Sequence, residues 1–435
     1  METKLWQKPA SQNPQWLEDF TIGNDRTLDL LLAEHDVIAS MAHANMLAKS
    51  NLISENDNLL LQKELKTILQ SIKDGFFVIE PKVEDVHSQI ELLLTKKLGD
   101  AGKKIHTARS RNDQVLTAIK LFLRAELKKT ASNVKTLFDL LQKLSEKNRD
   151  ILMPGYTHMQ IAMPSSFGLW FGAYAESLSE DIELLLAAYH VANKNPMGSG
   201  AGYGSSLPIE RLGPTQEMNF GSMNYNVVYA QMTRGKSEKI AATALAGIGS
   251  TLSKLSMDVC LFLSQNFSFI SFPEELTTGS SIMPHKKNPD VFELVRAKCN
   301  RLQALPNELT LLINNLPSGY HRDMQLTKEC LFPSFRTLND CIKAVTHALQ
   351  HIQVNQNILG DEKYQYIFSV EKVNQLVNEG VPFRDAYKKV AGEINSGEFS
   401  FDDRIVHDHE GSMGNLMTEQ IRNEFYLKIG KLGLA

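Results

Sequence analysis

The sequence contains few thiols and no surplus of positive charge. Only four of its 435 residues are cysteines, and none of them forms a CxxC pair. So few cysteines in so long a chain argue against a disulfide framework and against a structural zinc site. The formal net charge of -4 provides no basic field for nucleic acid or for an anionic membrane surface. We therefore expect neither a metal site nor a nucleic-acid or membrane partner.

Long apolar runs are also missing from the sequence. Residues 1–6, METKLW, lack the apolar stretch of a secretory signal, and no later run reads as long enough to span a bilayer. Hydrophobic residues make up 43% and charged residues 22% of the chain, which is typical of a soluble globular protein. The sequence therefore predicts a soluble, cytoplasmic protein with room for two or three domains.

Helical periodicity dominates the middle of the chain. Residues 114–148 contain no glycine or proline, and their apolar residues recur at three- and four-residue steps. Further long helices are predicted at 164–193, 237–265, 289–315 with a bend at Pro306, and 324–354 with a bend at Pro333. Because helices this long bury their apolar faces best against one another, we predict an all-α protein with an elongated helical bundle.

The same periodicity suggests a domain order and an oligomer. We predict a helical N-terminal domain at residues 1–105, a central helical bundle at 106–355 and a small helical C-terminal domain at 356–435. Within the bundle, residues 240–247, IAATALAG, are apolar over more than one helical face. An apolar surface beyond what one chain buries predicts contact between subunits.

Glycine is concentrated between residues 195 and 214, at positions 198, 200, 202, 204 and 213. The spacing is somewhat like a dinucleotide-binding fingerprint, but no predicted strand precedes it and no βαβ unit surrounds it. We therefore expect a mobile connection or a close approach of the backbone to a neighbouring segment.

Residues 278–290, TGSSIMPHKKNPD, combine two adjacent serines, two lysines and an amide. Gly279 allows a sharp turn before the serines. The end of the segment has the pattern of a helix start, with Asn288 as N-cap, Pro289 at the first position and Asp290 in the first turn. A loop that brings hydroxyl and ammonium groups to a helix N-terminus is suited to stabilising negative charge that develops in a reaction.

Two other segments carry a similar set of polar groups. Residues 106–114, HTARSRNDQ, open the first long helix, and their two arginines are suited to holding carboxylates bidentately. Residues 154–160, PGYTHMQ, form a predicted turn into the next long helix. Taken singly, each has an equally good structural interpretation, as a capped helix start or as a histidine that bonds within a turn. The three segments share one chemical bias although they lie far apart in the sequence.

Together the three segments resemble the argininosuccinate lyase branch of the fumarase/aspartase superfamily. Residues 278–290 match GSSxMPxKxNP, which marks the superfamily, whereas residues 106–114 match HTxRSRNDQ, which selects the branch. Residues 154–160 match GYTHxQ, and further matches at residues 40–44, 84–87, 320–325 and 380–385 extend the resemblance over nearly the whole chain. The resemblance implies the three-domain superfamily fold, assembled as a homotetramer whose active sites are shared between subunits.

The implied reaction is a cofactor-free β-elimination that splits argininosuccinate into arginine and fumarate through a carbanion. Ser280 matches the family's catalytic base, and its neighbour Ser281 is the second candidate. Lys286 and Asn288 match residues that bind the carboxylate on which negative charge accumulates.

Other family positions also have counterparts in this sequence. His158 matches a histidine oriented by a glutamate, here Glu293, which either assists the leaving guanidinium or organises water. The implied substrate-binding residues are Ser110, Arg111, Asn112, Thr157, Asn288, Tyr320, Gln325 and Lys328. On a helix face, Gln325 and Lys328 are three residues apart and can be presented together.

The sequence departs from the family pattern in four places. Gln7 and Lys8 follow Trp6, where the family usually has Gly-Gly-Arg-Phe after this tryptophan. His285 stands where glutamine is common, and a histidine there is more typical of adenylosuccinate lyase. The usual N-S-x-D-A-V-x-D-R-D segment is replaced by NYNVVYAQM at residues 224–232. A substrate-contacting serine is usual before the first helix, and neither Thr21 nor Asp25 is assigned to it.

These departures leave three alternatives to the main interpretation. The substrate could be adenylosuccinate, which the HTARSRNDQ segment opposes, or an N-acylated or otherwise modified argininosuccinate. The chain could also be a catalytically inactive structural relative, as lens delta-crystallins of this family can be. The retained residues Ser280, Lys286, Asn288, His158 and Glu293 argue against an inactive scaffold.

Overall fold

The computed structural model of the chain describes residues 14–401, 405 and 407–434. Helices dominate this part of the chain. In chain order the α-helices are Gln15–Ile22, Asp25–Leu28, Ala33–Lys49, Glu55–Lys73, Val86–Leu98, Asp100–Lys103, Arg111–Lys147, Phe167–Ala192, Leu212–Glu217, Val227–Met232, Lys236–Leu263, Asp290–Leu302, Leu305–Ile313, Thr327–Gln350, Ser369–Asn378, Phe383–Ser396 and Thr418–Gly430. Short 3-10 helices lie at Asp29–Leu32, Lys104–His106, Glu274–Leu276, Arg322–Gln325, Ile358–Gly360 and Glu362–Tyr364.

Strands in the described residues are short and pair only in twos. Antiparallel pairs are Leu152–Thr157 with Gln160–Ser166, and Ile270–Ser271 with Gln353–Val354; Lys194–Asn195 and Ser222–Met223 pair in parallel. The predicted all-α fold class is therefore confirmed, with one β-hairpin that the sequence pattern did not predict.

The two prolines predicted to bend long helices behave differently. One helix ends at Leu302 and the next begins at Leu305, so Pro306 lies in a first helical turn. Proline is favoured there because its missing N–H would have no intrahelical partner. Pro333 instead lies inside helix Thr327–Gln350, which continues past it. The interruption predicted near Pro306 is therefore present, and the single helix predicted around Pro333 is continuous, while its bend stays a prediction.

Contacts between Cα atoms divide the chain into two compact units. The first unit comprises Met1–Lys128, Ala187–Thr243 and Leu305–Phe335, and the second comprises Lys129–Leu186, Ala244–Ala304 and Arg336–Ala435. Neither unit is a single stretch of sequence, because the chain enters each of them three times. The three consecutive domains stay a prediction.

In the second unit, two long helices are joined by polar side chains as well as by apolar packing. Asp258 accepts hydrogen bonds from Trp170 Nε1 at 3.0 Å and from the Tyr174 hydroxyl at 2.6 Å. Two helical turns from there, Thr251 donates to Asp181 at 2.6 Å. Because buried polar groups cost free energy unless they are paired, these bonds fix the register between the two helices.

Helix Lys236–Leu263 is long and apolar enough, by length and composition alone, to cross a membrane. The sequence pattern did not predict a run of that length. Of its most apolar stretch 44% is buried within the protein, and a core helix of a soluble protein passes the same test. One such helix is weak grounds for a membrane span. Within residues 240–247, Ala241, Ala242, Ala244 and Leu245 are buried within the chain, and the subunit contact stays a prediction.

Candidate active site

The segment 278–290 forms a closed loop in the second unit. The backbone of Thr278 and Asn288 pairs across its neck, with N···O distances of 3.2 and 2.8 Å. The helix begins at Asp290, and Pro289 is the residue before it. The prediction that Asn288 caps this helix was therefore wrong, because the neck pairing holds Asn288 outside the helix. Its side-chain amide donates to Thr278 Oγ1 and Gly279 O, both at 3.4 Å.

Ser280 lies at the first bend of this loop and is half-buried. Its Oγ accepts hydrogen bonds from the backbone N–H groups of Met283 at 3.1 Å and Ile282 at 3.4 Å. Two N–H groups directed at one oxygen stabilise negative charge on it, as in an oxyanion hole. A serine that must act as a base needs such stabilisation, because its alkoxide is otherwise inaccessible near neutral pH. Ser281 is exposed, and no described residue bonds its hydroxyl.

The two lysines of the loop have different surroundings. Lys287 makes an ion pair with Glu274 at 3.2 Å, whereas the exposed Lys286 makes none among the described residues. An ammonium group without a protein carboxylate is available to a substrate carboxylate. Lys286, which the sequence assigned to that role, is the free cation of the pair.

His158 is presented at the tip of the β-hairpin. Strand Leu152–Thr157 ends at Thr157, strand Gln160–Ser166 begins at Gln160, and the two pair directly. The two residues between them, His158 and Met159, have φ values of 52° and 59°. Such two-residue turns normally contain asparagine and glycine, because side chains with a positive φ are strained. Strain of this kind clusters at functional sites. Here the turn exposes the His158 imidazole to solvent.

His158 and Glu293 do not meet within one chain. Both side chains are exposed, and neither makes a hydrogen bond or ion pair with the other. Glu293 lies in the first turn of helix Asp290–Leu302. Thr157, the implied substrate-binding residue beside His158, is also exposed. The second unit thus offers the implied catalytic groups to solvent on separate elements.

In the first unit, residues 110–113 start helix Arg111–Lys147 and are held by the side chain of Asp113. Asp113 Oδ1 accepts from Ser110 N at 3.0 Å, and Ser110 Oγ accepts from Asn112 N at 3.2 Å. Asp113 Oδ2 accepts from Gly198 N and Gly200 N, both at 3.0 Å. Burial raises the pKa of the Asp113 carboxyl to about 6. The glycine-rich loop therefore approaches this segment closely, one of the two outcomes expected from the sequence.

The two arginines of the HTARSRNDQ segment have protein partners. Arg109 is buried and donates to Ser40 Oγ at 2.9 Å. Arg111 lies 3.9 Å from Asp85 and 3.6 Å from Glu91, between N and carboxylate O atoms. Although burial opposes it, Arg111 lowers the pKa of the Asp85 carboxyl to about 2. Within the described chain, the carboxylates near these arginines therefore belong to the protein itself.

Beneath this segment lies a buried polar cluster that the sequence did not reveal as a unit. The Asp36 carboxylate accepts from Gln114 Nε2 at 3.0 and 3.1 Å and lies 3.1 Å from His87 Nδ1. Burial opposes ionisation, but His87, Arg109 and Gln114 together lower the pKa of Asp36. Its only sequence signal was two short matches at residues 40–44 and 84–87. The cluster fixes the helix start that presents Ser110, Arg111 and Asn112.

Gln325 and Lys328 are also engaged by the first unit itself. Gln325 Nε2 donates to the carbonyl oxygens of Thr21 at 3.1 Å and Ile22 at 3.0 Å. Lys328, only 4% exposed, lies 2.7 Å from Asp25 and 2.6 Å from Asp29. Tyr320 is exposed and precedes the 3-10 helix Arg322–Gln325.

Asp25 is one of the two residues considered, and not assigned, for the substrate-contacting serine. Burial raises the pKa of its carboxyl to about 6, with a further contribution from Asp29, although Lys328 opposes the shift. Thr21, the other candidate, contributes its backbone carbonyl to Gln325 and to Arg322 Nη2 at 2.7 Å. The implied substrate-binding lysine therefore lies between two carboxylates.

No group of three or more histidine, cysteine, aspartate or glutamate side chains is placed to hold a metal ion within the described part of the chain. The four cysteines are free, and two of them, Cys299 and Cys341, are buried. The residues of the site are acids, amides, hydroxyls and cations suited to proton transfer and to carboxylate binding.

Comparisons with known proteins identify the family of the chain. A family model described as Lyase matches residues 10–304. The argininosuccinate lyase of Bacteroides fragilis is 57% identical over 421 residues, which cover 97% of this chain and 94% of that protein. That of Phocaeicola vulgatus is 56% identical over 423 residues, with coverages of 97% and 95%. The argininosuccinate lyase of Thermotoga neapolitana is 37% identical over 391 residues, with coverages of 90% and 98%.

Solved structures with much lower identity share the fold. EDDS lyase in complex with formate superimposes with a TM-score of 0.75 at 18% identity, over 98% of this chain and 91% of that one. Class II fumarase from Schistosoma mansoni gives 0.71 at 16% identity, over 88% and 91%. The fold is thus that of the fumarase superfamily. The high identity to argininosuccinate lyases over nearly the whole chain identifies the family within it. The chain belongs to the argininosuccinate lyase family.

Proposed function

We propose that the protein is a cytoplasmic argininosuccinate lyase that releases fumarate and arginine without a cofactor, in arginine biosynthesis. The observation that carries the proposal is 57% identity over 97% of the chain to a protein of that name. The five implied catalytic residues, Ser280, His158, Lys286, Glu293 and Ser281, are all present. The substrate is a small molecule with carboxylates at both ends.

In the proposed reaction, Ser280 takes the proton from the succinyl carbon next to a carboxylate. The electron pair of the broken C–H bond moves into that carboxylate, where Lys286 and Asn288 compensate the added negative charge. The pair then returns to form the C=C bond of fumarate as the C–N bond breaks. The departing nitrogen keeps the electrons of that bond and takes up a proton, which completes arginine. We assign His158 to this departing guanidinium end of the substrate.

We further propose a homotetramer in which different subunits supply the segments of one site. One observation supports it: His158 and Glu293 are both exposed and make no ion pair or hydrogen bond with each other within the described chain. A glutamate from a neighbouring subunit would fix the tautomer of His158 and charge it for proton transfer.

The activity is tested by the ultraviolet absorbance of fumarate, with argininosuccinate and adenylosuccinate assayed in parallel. We expect rapid fumarate formation from argininosuccinate and none from adenylosuccinate. The reverse result would establish the sister lyase that His285 suggests. If neither substrate yields fumarate, the proposal is rejected in favour of a modified substrate or an inactive scaffold.

The shared site is tested by mixing two inactive variants, Ser280→Ala and His158→Asn, by co-expression. If one site takes these residues from different subunits, random assembly leaves about a quarter of sites with both native residues. We therefore expect activity to return to about a quarter of the wild-type level.

The matched control pairs Ser280→Ala with Lys286→Met. Because both residues lie on one loop, every site receives at least one substitution in any mixture, and activity should stay absent. Recovery in this control, or no recovery in the first mixture, would contradict the shared site.

A further inference from the structure

The glycine-rich loop, residues 198–204, is held by several hydrogen bonds, and four of its seven residues, Gly198, Ser199, Gly200 and Gly202, are buried. Its backbone N–H groups bond Asp113, and Gln231 Nε2 donates to Ser199 Oγ at 3.0 Å and to Gly200 O at 3.3 Å. A Cβ at Gly202, where φ is +113°, would lie 3.0 Å from Gln231 Cγ. The loop can pack this closely only with glycine at that position. Gln231 belongs to the 224–232 segment that departs from the family pattern.

The next residue, Tyr203, is carried outward by this packing. Its side chain is 74% exposed, and no described residue hydrogen-bonds its hydroxyl. A Cβ built on Gly319 would lie 3.8 Å from that hydroxyl oxygen. Gly319 directly precedes Tyr320, and Asp113, which holds the loop, directly follows Asn112. The phenol therefore lies beside the residue that precedes Tyr320, and its loop is bonded to the residue that follows Asn112; both Tyr320 and Asn112 are implied to bind the substrate.

We propose that Tyr203 is a specificity-determining residue that contacts the arginyl half of the substrate. This inference rests on the proposed function. The loop 278–290 acts on the succinyl carbon, which leaves the segments around Asn112 and Tyr320 for the other half. A phenol offers a hydroxyl to the amino-acid end and an aromatic face to the guanidinium cation.

Other interpretations of Tyr203 explain less. A core tyrosine would be buried with its hydroxyl paired, and Tyr203 is neither. A surface residue without a role would need no loop fixed by a buried carboxylate and a buried amide. Asp113 and Gln231 are each only 1% exposed, and their polar groups are used to hold the backbone on the N-terminal side of this side chain.

The test uses the full-length protein and the variants Tyr203→Ala and Tyr203→Phe. Arginine binding is measured by calorimetry, together with KM and kcat for argininosuccinate and the inhibition constants of arginine and fumarate. For Tyr203→Ala we expect KM and both arginine constants to rise about tenfold, since a hydrogen bond and an aromatic contact are lost. For Tyr203→Phe we expect KM and the two arginine constants to rise about threefold, because only the hydroxyl is lost. The kcat value and the fumarate constant should stay within about twofold.

The control is Tyr387→Ala, an exposed tyrosine on helix Phe383–Ser396, which should change none of these values. Arginine constants that stay within about twofold in both Tyr203 variants would overturn the proposal. So would an equal rise in the fumarate constant, because the contact would then not be selective for the arginyl half. A wild-type protein inactive on argininosuccinate would reject the proposed function, while the calorimetric comparison would still decide whether Tyr203 binds arginine.

Discussion

Replacing Ser280 with alanine is expected to lower kcat by about 10²–10⁴-fold, the range typical for loss of a general base. The hydroxyl removed is the one at which the N–H groups of Ile282 and Met283 point. KM should change little, because the carboxylate partners Lys286 and Asn288 remain. The measurement is steady-state fumarate formation, with the melting temperature taken on the same samples.

Ser281→Ala is the matched control for this substitution. The two serines are adjacent, but only Ser280 receives backbone N–H groups, so Ser281→Ala should keep most of the wild-type kcat. Because neither side chain is fully buried, both variants should melt within about 1–2 °C of the wild type. If Ser281→Ala loses turnover while Ser280→Ala keeps it, the base is Ser281.

The helices could be predicted from the sequence because their apolar residues recur at a helical period. The hairpin around His158 could not. Its turn residues, His158 and Met159, are poor formers of a two-residue turn, and both adopt a positive φ. Tertiary packing, with Met153 and Pro154 buried, overrides that local preference. The same override pairs Asn288 with Thr278 where the sequence indicated a helix cap.

The kinds of side chain in the site could be predicted from the sequence, whereas most of their contacts could not. Residue types in the three matched segments identified the hydroxyls, cations and amides. The carboxylates beside Lys328 could not be found, since Asp29 precedes Lys328 by 299 residues and no periodicity links them. Spacing alone pointed to Asp25 without showing what it does. Contacts of this range are properties of the fold.

The altered segment at residues 224–232 gains a structural explanation. Asn226 caps helix Val227–Met232 by accepting from the N–H groups of Val228 and Tyr229. Asn224 accepts from the buried Lys120 Nζ at 2.9 Å, and burial lowers the pKa of that lysine to about 7. Because Gln231 bonds the glycine-rich loop, we expect the segment to support residues that are proposed to bind the substrate rather than to supply the reacting groups. We therefore expect its departures to affect affinity more than turnover.

Replacing Lys328 with methionine should destabilise the protein more than any other substitution considered above. Lys328 is buried between Asp25 and Asp29, and removing one member of a buried ion pair typically costs about 3–5 kcal/mol of unfolding free energy. Here two neighbouring carboxylates would lose their shared cation. The melting temperature, measured by circular dichroism at pH 8, should fall by several degrees.

The loss should depend on pH in a defined direction. The pKa of Asp25 is about 6 in the folded wild type, above its ordinary value of 3.8, and losing the opposing Lys328 raises it further. The folded state then holds a proton that the unfolded state releases above about pH 4, so stability falls as the pH rises through the folded pKa. The variant should therefore lose much less stability at pH 5 than at pH 8. Adding Asp25→Asn to the variant removes one of the two charges, so it should restore most of the lost melting temperature at pH 8 and flatten the pH dependence. An equal loss at both pH values, or no rescue by Asp25→Asn, would mean that packing around the lysine chain matters more than its charge.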